Sequence, residues 1–236
     1  ARESQIDVRA AKAGVDPVEC RVENLEDARM IRVLGAAAKK FGWTPRPSPS
    51  GRGVGVACGI DADTYVALMA EVAVDKATGR VQVKRVVAAQ DMGVVVNPDG
   101  ALQQIEGCIT MGLGYALSEE VHFRGGEILD RNFDSYELPR FSIVPRIEAV
   151  LVGALDPPSH GGGEPAIVPM GAVLASAIFD ACGARLRRMP MTPASVKEAL
   201  STERQWPAVP FLVGPTGCRL DAIVRAHGRP GSGDET

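Results

Sequence analysis

Residues 160–189, HGGGEPAIVPMGAVLASAIFDACGARLRRM, constrain this chain more than any other stretch. Gly161–Gly163 permit positive φ and let backbone approach a neighbour or ligand closely. They lead to one carboxylate, Glu164. Pro165 suits a first helical position, and the apolar run Ile167–Cys182 predicts a helix ended by Gly183. Two readings of Glu164 stand side by side. It can sit at a helix start, where the macrodipole favours a negative charge. Or it can act as a general base at the mouth of a pocket walled by Ile167, Val168 and glycine backbone. An apolar surround would raise its pKa and a helix N-terminus would lower it.

The remaining elements alternate in type. Residues 1–43 have helical spacing, and Asp27 can cap a helix running through Met30, Val33, Leu34 and Ala37 to Gly42. TPRPSPSGRGVG is a Pro/Ser/Gly connector. Its Gly51-x-Gly53-x-Gly55 lacks both the following helix of a dinucleotide fold and a Gly-Lys-Ser/Thr, so phosphate binding is not expected. Tyr65–Val74 and Arg80–Gln90 predict a β-hairpin joined by Asp75–Gly79. Asn97 as N-cap and Pro98 at the first position open a helix to about Leu117. Glu119–Phe123 and Arg146–Val152 are further strand candidates, with a turn at Gly125-Gly126. Ala194–Leu200 is a short helix. Residues 201–236 carry four prolines and end RPGSGDET, a partly disordered tail. The fold class is α+β.

A net charge of −3 and a pI near 5.7 argue against a nucleic-acid surface. The basic run Arg185–Arg187–Arg188 is most simply the charged end of a helix. No apolar stretch reaches the roughly 20 residues of a membrane span. The N-terminus has no apolar signal core and no initiator Met, so compartment is not readable from this end, and a cytoplasmic one is only the default. The five cysteines are scattered, which favours buried free thiols over a zinc site or disulfide framework. The three histidines are isolated too. A metal held directly by side chains is not expected; a metal would arrive inside an organic cofactor.

On the helix after Asn97-Pro98, Gln104, Gly107, Met111 and Gly114 fall on one face. Glycines inside a helix cost about 1 kcal/mol each relative to Ala. Close packing against another element could offset that. So could a cofactor lying on bare backbone, with the Gln104 amide donating and accepting hydrogen bonds.

VNPDGALQQIEGCITMGLGYAL and GGGEPAIVPMGAVLASAIFDACGARLRRMPMTP resemble the C-terminal part of the molybdenum-binding large subunit of the xanthine dehydrogenase and aldehyde oxidase family. The resemblance is nearer the bacterial enzymes similar to isoquinoline 1-oxidoreductase and nicotinate dehydrogenase. ESQIDVRAAKAGVDPVECRVENL, VALMAEVAVDKATGRVQVKRVVAAQDMGVVVNP and NFDSYELPRFSIVPRIEAVLV fit in the same order, so it spans about residues 1–200.

The resemblance implies a helical linking segment at 1–50 and a molybdopterin-binding domain of mixed helices and β-hairpins at 51–200, incomplete without a partner half. It implies Glu164 as catalytic base and Gln104, Gly107, Gly161, Gly162 and Gly163 as cofactor contacts. The implied cofactor is a molybdenum–pterin in its cytosine dinucleotide form, with no side-chain metal ligand. The implied reaction hydroxylates an aldehyde or N-heteroaromatic ring at an electron-poor carbon, using water-derived oxygen. Implied partners are an N-terminal molybdenum-binding half on another chain and a subunit carrying iron–sulfur clusters. Gly107-Cys108, Ala166, Met170-Gly171-Ala172 and Ser176 depart from the family pattern. A non-catalytic fragment that packs on a partner without cofactor is the rival reading.

Overall fold

A computed structural model describes residues 2–153 and 158–202. Three helices come first: α1 (Arg2–Ala13), α2 (Pro17–Asn24) and α3 (Ala28–Phe41). Asp27 starts α3 by accepting from the Arg29 and Met30 N–H groups, and Gly42 ends it at φ +76. The buried residues Met30, Val33, Leu34 and Ala37 repeat at i, i+3, i+4, i+7 and form the stripe that packs.

That stripe lies on a four-stranded sheet of order β1-β2-β3-β6. Strands β1 (Val54–Asp61), β2 (Thr64–Val74) and β3 (Val81–Asp91) are antiparallel neighbours, and β6 (Arg146–Leu151) pairs with β3 in parallel. Helix α4 (Pro98–Leu117) makes the crossover between them. Helices α4, α5 (Met170–Cys182) and α6 (Pro193–Thr202) join the core of the opposite face. Side chains alternate across the pleat: Val66, Leu68, Ala70 and Val72 meet α4 and α5, while Ala67 and Met69 meet α3. With both faces covered, β2 is apolar nearly throughout. Truncating fully buried Leu68 to Ala would cost about 2–5 kcal/mol.

The hairpin β2–β3 forms where the sequence predicts it, with Gly79 at φ +77. The helix at Asn97-Pro98 also runs as expected, its Asn97 Oδ1 accepting from Gly100 N–H at 3.0 Å.

Other expectations are corrected. Glu119–Phe123 is not a strand; Phe123–Arg124 (β4) pairs only with Glu127–Ile128 (β5) across Gly125-Gly126. Glu119 is instead drawn to α4, its N–H on the Gly114 carbonyl and its carboxylate on the Tyr136 hydroxyl. Strand β1 lies partly in the expected connector. Gly53 and Gly55 allow close packing there: a Cβ at Gly53 would stand 2.2 Å from the Val72 carbonyl oxygen, and one at Gly55 2.3 Å from that of Val173. Asp180 on α5 organises the same segment, accepting from the Ser48 hydroxyl and from the N–H groups of Ser50 and Val54.

The expected helix Ile167–Cys182 divides in two. Pro169 lacks an N–H, so Pro165–Ile167 closes as a 3-10 turn and α5 begins at Met170. By composition Pro165–Cys182 could cross a membrane, but two-thirds of it is buried in this fold (67%), so it is a core segment here. The arginine run lies beyond α5, and Arg185 is buried with its guanidinium 3.7 Å from the Phe179 ring centre. Cys58, Cys108 and Cys182 are free thiols, and Cys20 is buried. The expected tail beyond Thr202 lies outside the described residues.

Candidate cofactor-binding site

The glycine loop before Glu164 is fixed from below by the end of β3. Asp91 is fully buried there and takes Arg29 at 3.0 Å, Arg32 at 2.6 Å and the Gly93 N–H at 3.0 Å. Burial alone would raise its carboxyl, but the Arg29, Gly93 and Arg32 hydrogen bonds and the Arg29 charge outweigh that and hold it at about 2. Gly93 then turns at φ +72, in a place where a Cβ would stand 2.0 Å from the Pro158 carbonyl oxygen.

Three bonds carry this rigidity into the loop. His160 N–H donates to the Met92 carbonyl at 2.8 Å. Buried Gln90 donates from Nε2 to the Gly162 carbonyl at 3.2 Å. From the other side, Cys108 Sγ on α4 donates to the Gly163 carbonyl at 3.0 Å. Burial raises the Cys108 thiol, and the nearby Glu164 charge adds to the rise. The sequence does not single out Gln90, Asp91, Met92 or Cys108 as site residues. Their signal is only local: an Asp-x-Gly turn at a strand end and a cysteine on the inner helix face.

The expected site residues do converge, in two kinds. Gly161 and Gly162 are explained by packing, since a Cβ would come to 2.9 Å from the Ala62 Cβ and 2.5 Å from the Met92 Cε. Gly107 is not, because a Cβ there meets nothing within 4 Å. At Gly163 the nearest atom would be Gln104 Oε1 at 3.6 Å, so the loop and the α4 glutamine are neighbours. Gln104, Gly107 and Met111 are all exposed. The fourth residue of that face, Gly114, is covered by Glu119 and Pro139. The glycine that brings α4 against another helix is Gly112, beneath Met170.

Glu164 is exposed, at φ −123 and ψ −19, and its side chain makes no capping hydrogen bond. The helix-start reading therefore fails to occupy this carboxylate; only its main-chain carbonyl is used, by Ile167 N–H at 3.0 Å. Of the expected walls, Ile167 is partly buried and Val168 half-exposed.

These residues fit a large polar heterocycle laid along backbone. Among the described residues no protein acceptor faces the N–H groups of Gly161, Gly162 and Gly163. The Gln90 Oε1 is buried without a partner, an acceptor awaiting a donor. The backbone at Gly107 is bare, and the Gln104 amide stands beside it. Among the described residues no three His, Cys, Asp or Glu side chains gather as a metal site.

Comparison with known proteins gives this geometry its context. Residues 59–145 match the molybdopterin cofactor-binding domain. Over 232 residues the chain is 37% identical to a nicotinate dehydrogenase subunit of Pseudomonas putida, a match covering 92% of this chain and 20% of that one. It is 34% identical over 197 residues to the beta subunit of isoquinoline 1-oxidoreductase from Brevundimonas diminuta, covering 82% of this chain and 25% of that one. Among solved structures, the aldehyde oxidoreductase of Desulfovibrio desulfuricans superposes with a TM-score of 0.53 at 33% identity, over 58% of this chain and 15% of that one. The chain belongs to the family of molybdenum-binding subunits that includes the xanthine dehydrogenases and aldehyde oxidoreductases. It spans a fifth to a quarter of the length of the nicotinate and isoquinoline relatives.

Proposed function

We propose that this chain supplies the catalytic base and one wall of the cofactor site in a molybdenum hydroxylase. The observation that carries this is the placement of Glu164. Its carboxylate is exposed and uncommitted, at the end of a glycine loop braced by β3 and α4 and next to the Gln104–Gly107 face. A molybdenum–pterin bound there supplies the two-electron redox chemistry. The chain's own groups do the rest. Gln104 and the Gly161–Gly163 N–H groups hold polar edges of the pterin, and bare backbone at Gly107 allows close approach. Glu164 holds the proton released as water-derived oxygen is transferred to substrate.

In this reading residues 1–50 link and cover the sheet, residues 51–200 form the cofactor-binding domain, and residues 201–236 have no assigned role. The cofactor is the cytosine dinucleotide form. A second body carrying the other molybdenum-binding half closes the site, and an iron–sulfur subunit accepts the electrons. The substrate is an aldehyde or N-heteroaromatic compound, as the names of the relatives suggest.

The test is metal content and turnover of the purified assembly. Stoichiometric molybdenum, with Glu164→Gln retaining the metal but losing turnover, is the expected result. Absence of molybdenum in every assembly would refute the cofactor reading. Near-normal turnover of the Gln variant would refute the base.

A further inference from the structure

A cavity of about 380 Å³ lies between α1, α5 and the extended segment that follows α5. Its walls are largely apolar: Tyr115 from α4, Val168, Ala172 and Ala175 in and just before α5, and Met189 and Met191 from the segment beyond it. That size and lining suit a small molecule with a flat ring. The absence of a side chain at Gly171 makes room for Met189 in this wall, since a Cβ there would stand 2.5 Å from the Met189 Sδ.

Two faces lead from this cavity to the proposed site. On α4, Tyr115 lies one turn beyond Met111, on the stripe that carries Gln104 and Gly107. Its hydroxyl is committed, donating to the Ile167 carbonyl at 2.6 Å, which ties the cavity wall to the turn that follows Glu164. Val168, Ala172 and Ala175 recur at i, i+4 and i+7. The same face, followed about one turn back, reaches Glu164. The cavity and the site of Gln104 and Glu164 therefore share both walls.

The rim is cationic. Arg187 and Arg188 line the cavity, are exposed, and make no ion pair among the described residues. Glu120 shares an adjoining cleft with them but is turned to His122 at 3.8 Å. A guanidinium matches a carboxylate in both shape and charge. An apolar cavity with two uncommitted guanidinium groups at its mouth has the chemistry to hold an aromatic acid.

We infer that this cavity is an antechamber of the Glu164 site and selects aromatic and heteroaromatic carboxylates. The ring lies among Tyr115, Val168 and Met189, and the carboxylate pairs with Arg187 and Arg188. The inference rests on the proposed function and narrows its substrate class to anions. Uncharged rings leave the arginines unused and are the poorer substrates.

The experiment uses the purified assembly. Isothermal titration with 2-naphthoate, and with 2-naphthamide as its uncharged counterpart, reads the cavity without turnover. Naphthoate should bind at least tenfold more tightly, with an affinity that falls as salt is added. Arg187→Ala with Arg188→Ala should remove that preference, and Ala172→Phe, which fills the cavity, should abolish binding of both compounds. In turnover, naphthoate should inhibit competitively. The double arginine variant should lower the ratio of kcat/KM for an N-heteroaromatic carboxylate to that for its carboxamide at least tenfold, mainly through KM. Equal affinity for naphthoate and naphthamide overturns the inference. So does an unchanged substrate ratio in the arginine variant, or naphthoate binding that leaves turnover untouched. Should the variants fail to fold, the wild-type comparison of naphthoate with naphthamide decides. Assemblies that hold no molybdenum but bind naphthoate through the arginines sink the proposed function and keep the aromatic-acid site. Stoichiometric molybdenum and turnover without any preference for the carboxylate do the reverse.

Discussion

Cys108 donates from Sγ to the carbonyl of Gly163 at 3.0 Å, tying the buried face of α4 to the residue just before Glu164. Through this contact and the Gln90–Gly162 bond, the carboxylate loop is braced on both sides by rigid elements. Cys108→Gly would remove the bond, the buried side chain and some helix propensity together. We expect a loss of about 2 kcal/mol in stability by denaturant titration. Turnover of the assembly should fall more than molybdenum content, because the loop that aims Glu164 loosens.

The two kinds of glycine separate by substitution. Gly107→Ala faces open space and should raise the stability of the isolated chain by about 1 kcal/mol, while weakening retention of the cofactor by the assembly. Gly55→Ala places a methyl group against the main chain of Val173 and Ala177, and should cost about 3 kcal/mol. Thermal melts of both variants beside the parent chain check the contrast; equal effects would remove the functional reading of Gly107.

Acid should loosen the base of the site in a defined window. Asp91 is held at about 2, below the ordinary carboxylate value of 3.8, so its contribution is complete above that value. It is lost as pH falls from about 4 through 2. Both arginine partners reach water, so the contribution is on the order of 1 kcal/mol. Asp91→Asn should flatten the acid limb of a stability-against-pH curve over that window and leave the neutral plateau lower.

Native-state alkylation at pH 8 should spare two thiols. Burial pushes Cys58 up to about 12, despite the opposing Arg21 charge, and also raises Cys108. Mass spectrometry should find both unmodified until denaturant is added. Rapid labelling of Cys108 in the folded chain would show that the loop opens.

Glu164→Gln should lower turnover by roughly two to four orders of magnitude, the usual range for loss of a general base. A steady-state assay of the purified assembly reads this directly. The side chain caps no helix and makes no ion pair among the described residues, so the melting point should stay unchanged.

Local chemistry made much of this legible in advance. Asp27 and Gly42 bound α3, Asn97 and Pro98 open α4, and Gly79 closes the hairpin, because each acts on backbone only a few residues away. Val54–Asp61 was less legible, since Gly55 is there to admit α5, a helix far away in sequence and close in space. The last apolar run reads as one helix by composition, and it divides at Pro169 because that residue has no N–H to donate.

For the site, the residue types and their order were enough to nominate Glu164, Gln104 and the glycines. They could not separate glycines that admit a neighbour from those that stay bare, because that depends on whether Met92, Ala62 or nothing faces the missing Cβ. Nor could they show Glu164 uncommitted, since a cap and a base carry the same carboxylate. The sequence by itself determined which groups are present and where helices and turns begin, by local hydrogen-bonding and steric rules. The tertiary structure alone decided which of those groups is consumed in packing and which is left facing outward, because that is settled by atoms far away in the chain.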